Sequence, residues 1–444
     1  MENIKKEEIF RKIIQLSWPI LIANNVINAA ALFDLFLVGK LGISQLAAIS
    51  IAGLILSVYL TIQGGMMSGA IAVVARFLGG KKHEDLKKAI AQIFIFAFSA
   101  AGVFSISLYA FMEQVLSYFG AAGETLIYAS SYLPVMLLSL MAMSVFFMFV
   151  AIVRASGDSV TPLKLMGLAS VINIALDPFL IFGIWVFPEL GIKGAAIANF
   201  TGFIIVDIIA LYMLLKGRAG IKFALTDLKF DTRMMARYLR ISVPAMGQGL
   251  IDRASYMIIL KLIAGYGDPF IAAFGIVNRL MMFLRRFGWP IGNSGGVIVA
   301  HQLGGGKKEN VVYTVKESLK LYTYITALFS VLFFVFAGQV ASFFTGNPEA
   351  IAYGRHFLMI FSPSFILMGA GVIMFTTFNS AGATGIPLII NIIALYIVQI
   401  PLAVMLPRFI GESGIFWAVS AGVAAHGIIS LLFLKFSRWM EKRI

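Results

Sequence analysis

The feature that most constrains this chain is the recurrence, from one end to the other, of apolar runs of about 20 residues or more. Each is long enough to cross a hydrocarbon core of roughly 30 Å as a helix at about 1.5 Å per residue. Twelve such spans are expected, near residues 13–39, 45–76, 89–112, 124–153, 160–187, 191–215, 240–263, 269–302, 317–343, 348–378, 385–407 and 412–435. A chain 60% hydrophobic and 13% charged lies outside the soluble globular range, so the reading is an all-α integral membrane protein. The charged start, "MENIKKEEIFRK", leads straight into a full-length span rather than a cleavable signal.

The net charge of +14 invites a nucleic-acid partner, but the pattern of the cations argues against one. Lys and Arg gather in residues 5–12, 76–88, 216–240, 307–320 and 435–443, which this topology puts on one side, while the other face has scattered single cations such as Lys40, Lys193 and Arg408. The positive-inside bias then makes both termini cytoplasmic, with the basic loops against anionic lipid. The chain has no Cys, so neither a disulfide framework nor a thiolate metal site is expected.

The chain also repeats itself. At an offset of 225 residues "LSWPI" at 16–20 falls on "ISVPA" at 241–245, "ARFLGGKK" at 75–82 on "AHQLGGGKK" at 300–308, and "RASGDSVTP" at 154–162 on "NSAGATGIP" at 379–387. With a slip of two, "GIKGAAIA" at 191–198 falls on "GIFWAVSA" at 414–421. The expected organisation is a six-helix lobe over 1–215, a basic cytoplasmic linker over 216–240 and a second six-helix lobe over 241–444. An even number of spans per copy makes the repeat parallel, the arrangement of transporters whose two bundles rock about a central cleft.

Polar residues inside the spans carry the functional argument. Asp34 lies about 9 Å from the outer end of the first span, and Asp177 about 22 Å from the inner end of the fifth. Tyr132 in the fourth span and Asn199 in the sixth each sit about 12 Å inward from the outer ends. Asn173 precedes Asp177 by one helical turn, so its amide can donate to the carboxyl. Pro178 deprives the Ile174 carbonyl of its helical partner, and Pro19 is expected to bend the first span in the same way. Acids at such depth are expensive and should face the lobe interior, where they could be structural or could take up a proton or Na⁺.

The motifs "FDLFLVGKLG" at 33–42, "RASGDSVTP" at 154–162, "NIALDPFLIFG" at 173–183 and "GIKGAAIANFTG" at 191–202, with "WP" at 18–19, resemble the multidrug and toxic compound extrusion (MATE) family, most of all its DinF-like branch. The resemblance implies a cation-coupled antiporter with Asp34, Asp177, Asn173 and Tyr132 as the coupling site, Asn199 where the family usually has Thr, and Pro19 as the bending point. It implies no cofactor beyond a coupling ion, H⁺ or Na⁺, the latter at Asp34 and Asp177. Amphipathic small molecules, the lipid bilayer and no nucleic acid are the expected partners, for a monomer in the plasma membrane.

The second lobe is cationic, with Ile259 standing where the repeat would place a partner of Asp34. Asp252 and Arg253 occupy the seventh span and Arg279, Arg285 and Arg286 the eighth, with depths that would let Asp252 pair with Arg279. Arg253 is left without a nameable partner, which would suit an anionic portion of a substrate or lipid. Met281, Met282 and Phe147, in "LMMFLRRFGW" and "VFFMFV", are candidates for a soft, polyspecific substrate cleft. A flippase or exporter of an anionic or lipid-linked intermediate is the rival reading that these Arg residues favour. No enzyme is expected. "FD" at 33–34 with "GYGD" at 265–268 is similar to an intramembrane aspartyl protease pair, but Asp268 falls in a short outer loop.

Overall fold

The structure, a computed structural model, describes residues 6–217 and 221–441. The expected lobes and linker extend over residues 1–5, 218–220 and 442–444, including four cations of the basic segments (Lys5, Arg218, Lys442 and Arg443), which lie outside the described residues.

The described residues form helices throughout and no strand. In chain order the longer ones are α1 (Lys6–Gly39), α2 (Ile43–Gly79), α3 (His83–Ala110), α4 (Gly123–Ala155), α5 (Val160–Phe182), α6 (Ile192–Leu215), α7 (Thr232–Ile263), α8 (Asp268–Gly304), α9 (Lys308–Val335), α10 (Pro348–Phe361), α11 (Ser364–Ser380), α12 (Gly385–Ile410) and α13 (Ser413–Phe436). Nine of the described helices are long and apolar enough to cross a membrane, and α10 with α11 make a tenth span bent by 61°. The bend falls at Ser362 and Pro363, inside the span expected over 348–378, because the Pro ring cannot continue the ladder of α10. The long, charged α7 and α8 complete the set of twelve. In α12 residues Ile392–Gln399 wind as a π-helix just before Pro401, a local widening that hydropathy does not register.

Two compact units emerge. One comprises Trp18–Leu78 and Lys82–Ser242, the other Met1–Ser17, Gly79–Lys81 and Val243–Ile444. The division departs from the expected 1–215 and 241–444 lobes in three places, one of them the short turn Gly79–Lys81, which groups with the later helices. The described segment before Trp18 belongs with the later helices, because Ile9, Ile13 and Leu16 are buried in their core. The segment after α6 belongs with the earlier ones: Gln92 donates from Nε2 to the Lys229 carbonyl over 2.7 Å, and the Phe223 ring packs 6.3 Å from that of Phe94.

In the first unit, α6 lies backbone to backbone on α5. A Cβ on Gly194 would strike the carbonyl of Leu180, and one on Gly202 would come within 2.9 Å of the carbonyl of Ala169. Asp158 starts α5 by accepting from the backbone N–H of Val160 and Thr161 over 2.9 and 3.0 Å, which accounts for the acid of "RASGDSVTP" as a helix cap. The second unit is built on stacked rings, Phe357 on Phe416 at 4.3 Å and Phe416 on Phe270 at 4.7 Å.

Backbone geometry carries the duplication further than residue identity does. Left-handed residues recur at the repeat spacing: Gly42 with Gly267, Lys81 with Gly306, and Gly157 with Gly382. Each is a turn where a positive φ is needed, and Lys81 accepts it in one copy where Gly serves in the other.

Candidate functional site

In the first unit the polar residues of α1, α4 and α5 converge. Asp177 is fully buried, Asn173 is 4% exposed and Tyr132 9%, while Asp34 is half-buried. Asn173 donates from Nδ2 to Oδ1 of Asp177 over 3.3 Å, as the one-turn spacing on α5 requires. The carboxyls of Asp34 and Asp177 lie within hydrogen-bonding reach of each other, and Tyr132 is near enough to feel the charge of both. Yet Oδ1 of Asp34 and Oδ2 of Asp177 are buried without a hydrogen-bond partner. Two acceptor-only groups side by side repel. A proton or a cation between them turns the repulsion into a bond.

Asn199 takes a different place. Its Oδ1 accepts from Ser139 Oγ over 2.5 Å, tying α6 to α4, and no bond joins it to either carboxyl among the described residues. Ser139 carries no charge and sits in the apolar run of α4, so sequence offered no sign of this pairing. Pro19 lies within α1, which runs as one helix through it. Among the described residues no group of three or more His, Cys, Asp or Glu could hold a metal ion. The oxygens at Asp34 and Asp177 are the donors that a monovalent cation would meet.

In the second unit the expected Asp252–Arg279 ion pair does not form. Arg285 is the cation that shares a cavity of about 150 Å³ with Asp252, together with Gln248, Trp289, Asn391 and His426. Six residues of helix turn a side chain about 240°, so matching depth alone could not choose between Arg279 and Arg285. Arg253 is engaged by an interaction in the structure, so the expectation of a cation without a partner does not hold. His426, midway along α13, meets Asn391 Oδ1 at 3.1 Å, and Nε of Arg285 is buried without a partner. The sequence signal for His426 is an ionisable residue in the middle of an apolar span.

The cleft candidates belong to both units. Met281 packs on the core of the second unit, and Met282 is 57% exposed. Phe147 belongs to a ring cluster of the first unit with Phe146 and Phe203, at 5.9 and 6.3 Å.

Comparison with known proteins adds an independent line. The MatE family model matches residues 19–179 and again 244–405, two stretches whose starts lie 225 residues apart. The chain is 25% identical to "Probable multidrug resistance protein YoeA" of Bacillus subtilis, over 99% of this chain and 96% of that one. It is 26% identical to "FAD transporter" of Shewanella oneidensis, over 92% and 90%. Among solved structures, the Vibrio cholerae MATE transporter VcmN in the bent form superposes with a TM-score of 0.89 at 24% identity, covering 97% of each chain. That likeness is one of fold, and the fold is the twelve-helix, two-lobe architecture read from the sequence.

Proposed function

The chain belongs to the MatE family of multi-pass membrane transporters, and on that premise we propose that it is a cation-coupled antiporter exporting amphipathic, often cationic compounds. The observation that carries this reading is the pair of facing carboxyls, Asp34 and Asp177, each with an oxygen that no donor satisfies. Uptake of H⁺ or Na⁺ there relieves the repulsion and removes net charge from the first unit. The conformation that binds the ion best is thereby favoured, and a substrate bound in the other conformation is released by alternating access.

Asn173 orients the Asp177 carboxyl through its amide, and Tyr132 offers a hydroxyl beside both acids. Pro19 supplies a point in α1 where a carbonyl lacks its helical partner and bending is easy. A single charge moved through 100 mV contributes about 2.3 kcal/mol, enough for a gradient of roughly fifty-fold. The same reading has a monomer in the plasma membrane with both termini cytoplasmic, from the asymmetry of the basic loops.

The test is efflux of a fluorescent cationic dye from proteoliposomes with pH and Na⁺ gradients imposed separately, for the wild type, Asp34→Asn and Asp177→Asn. Efflux driven by one gradient and lost in both variants supports the proposal and names the ion. Variants as active as the wild type would sink it.

An anionic substrate is the second reading. Arg285 and His426 in the wall of one cavity favour it, as does a relative named as an FAD transporter. Under that reading Arg285→Gln would abolish export of an anionic flavin nucleotide and spare the cationic dye.

A further inference from the structure

We propose that the first unit holds a second binding site, a membrane-facing pocket for amphipathic amines anchored on Asp207 of α6. The pocket has a volume of about 460 Å³ and lies among α3, α4, α6 and the segment that follows α6. Its walls are aromatic and aliphatic, with Phe94, Phe98, Phe149, Leu211 and Phe223 prominent, and Asp207 is the one ionisable residue among the described residues lining it. That volume is in the range of drug-sized ligand sites, about 300–1,000 Å³.

The carboxyl is what makes the pocket selective. Oδ1 of Asp207 is buried and has no hydrogen-bond partner. An ionisable side chain inside a span ordinarily faces a partner, and the protein supplies none for this oxygen. A ligand ammonium would supply both the positive charge and the N–H donor, while its apolar body lies against the Phe rings, whose faces also attract cations. An anion would be repelled. A purely apolar guest would leave the carboxyl as unsatisfied as before.

The placement suggests how such a ligand arrives. Asp207 is eight residues before the end of α6 at Leu215, about 12 Å along the helix, and about as far from Asn199 in the other direction. Phe98 is 53% exposed and Ile208 64%, on helices apolar enough to cross a membrane, so this rim opens toward acyl chains. The opposite end is closed by Phe223, which is 3% exposed, in a segment tied down by the bond from Gln92 to Lys229. If the basic loops are cytoplasmic, the leaflet facing the rim is the inner one; that orientation rests on the proposed topology, but binding itself does not. An amphipathic amine dissolved in that leaflet has its charge near the headgroups and its body at the depth of the pocket.

The experiment is a binding titration on the full chain in nanodiscs of phosphatidylcholine and phosphatidylglycerol, with no ion gradient. The probes are a dansyl-labelled lipophilic tertiary amine and its uncharged amide counterpart. The wild type should bind the amine at least about tenfold more tightly than the amide, and Asp207→Asn should erase that preference while leaving amide binding in place. Leu211→Trp, which fills the pocket from α6, should weaken both probes. A preference for the amine that survives Asp207→Asn overturns the proposal, as does unchanged binding by Leu211→Trp. Equal displacement of the amine when the disc is enriched in phosphatidylglycerol, which carries no ammonium, would identify the occupant as a lipid held by its acyl chains and overturn it equally. Because no gradient is involved, failure of the coupling reading would leave these results untouched.

Discussion

Asn173 and Asp177 are joined across one turn of α5, Nδ2 to Oδ1 over 3.3 Å, while the other oxygen of the same carboxyl is buried with no donor. The acid is therefore half-satisfied by its own helix, with the Asp34 carboxyl within hydrogen-bonding reach. Replacing Asn173 with Leu keeps the branched shape and removes the donor. Stability should fall by about 1–3 kcal/mol, and ion-driven efflux should weaken with it. A thermal melt of the purified variant together with the dye assay checks both; a variant that melts and transports like the wild type would show that the amide bond is idle.

If Asp34 and Asp177 take up one ion between them, their losses cannot add. The double variant Asp34→Asn/Asp177→Asn should transport no worse than the weaker single variant, because the second change removes half of a pair already broken. Initial efflux rates for the four proteins measure this. Losses that multiply would mean that the two carboxyls act independently.

The contact between α5 and α6 leaves no room for a side chain at Gly194, whose Cβ would strike the Leu180 carbonyl, whereas a Cβ on Gly167 meets nothing within 4 Å. Gly194→Ala should destabilise by about 1–3 kcal/mol through forced separation of the helices. Gly167→Ala should be neutral or slightly stabilising, since Ala is the better helix former. Unfolding midpoints of the two variants in the same detergent decide the matter.

In the second unit Gln248 and Asn379 form a closed amide pair, with Nε2 to Oδ1 at 3.0 Å and Nδ2 to Oε1 at 2.9 Å, and Gln248 also donates to the Thr384 carbonyl over 2.7 Å. Both side chains are buried. Gln248→Leu should cost about 1–3 kcal/mol by leaving the Asn379 amide unsatisfied, and Asn379→Leu added to it should recover part of the loss. A double-mutant cycle on thermal stability reads the coupling directly. Strict additivity would mean that the amides do not depend on each other.

Asp231, just before α7 and outside the spans, accepts from the backbone N–H of Met234 over 2.9 Å and has Lys88 nearby at 3.9 Å. The cap, with help from Lys88, holds its carboxyl below the usual carboxylate range. A depressed folded-state pKa means stability that is fully present above the unfolded value, about 3.9, and lost as pH falls through the lower folded value. The melting difference between wild type and Asp231→Ala should be constant above about pH 5 and should shrink on acidification. A difference that persists unchanged at pH 2 would remove the carboxylate from the explanation.

Much of this protein is determined by the sequence alone, because the governing interactions are local. Apolar runs set the spans by length, and "NIALDPFLIFG" puts Asn173 and Asp177 on one face because four residues make one turn. The turns of the repeat follow from where Gly and its counterparts must adopt positive φ, and the 225-residue spacing shows in the residues before it shows in the backbone. What only the tertiary structure decided is how each helix is rotated and which neighbour its polar residues meet. Depth along a span can be counted from its ends, but rotation about the axis is set by packing against other helices. Hence Arg285 and not Arg279 shares the cavity of Asp252, Asn199 turns to Ser139, and the lone acid of α6 ends in an apolar pocket. The same holds for the described residues before Trp18, whose apolar face of Ile9, Ile13 and Leu16 fits the core of the later helices although the chain continues into the earlier ones. Burial of that face is a non-local choice, made by the surface that fits it, and one strand of sequence cannot display the surface it will meet.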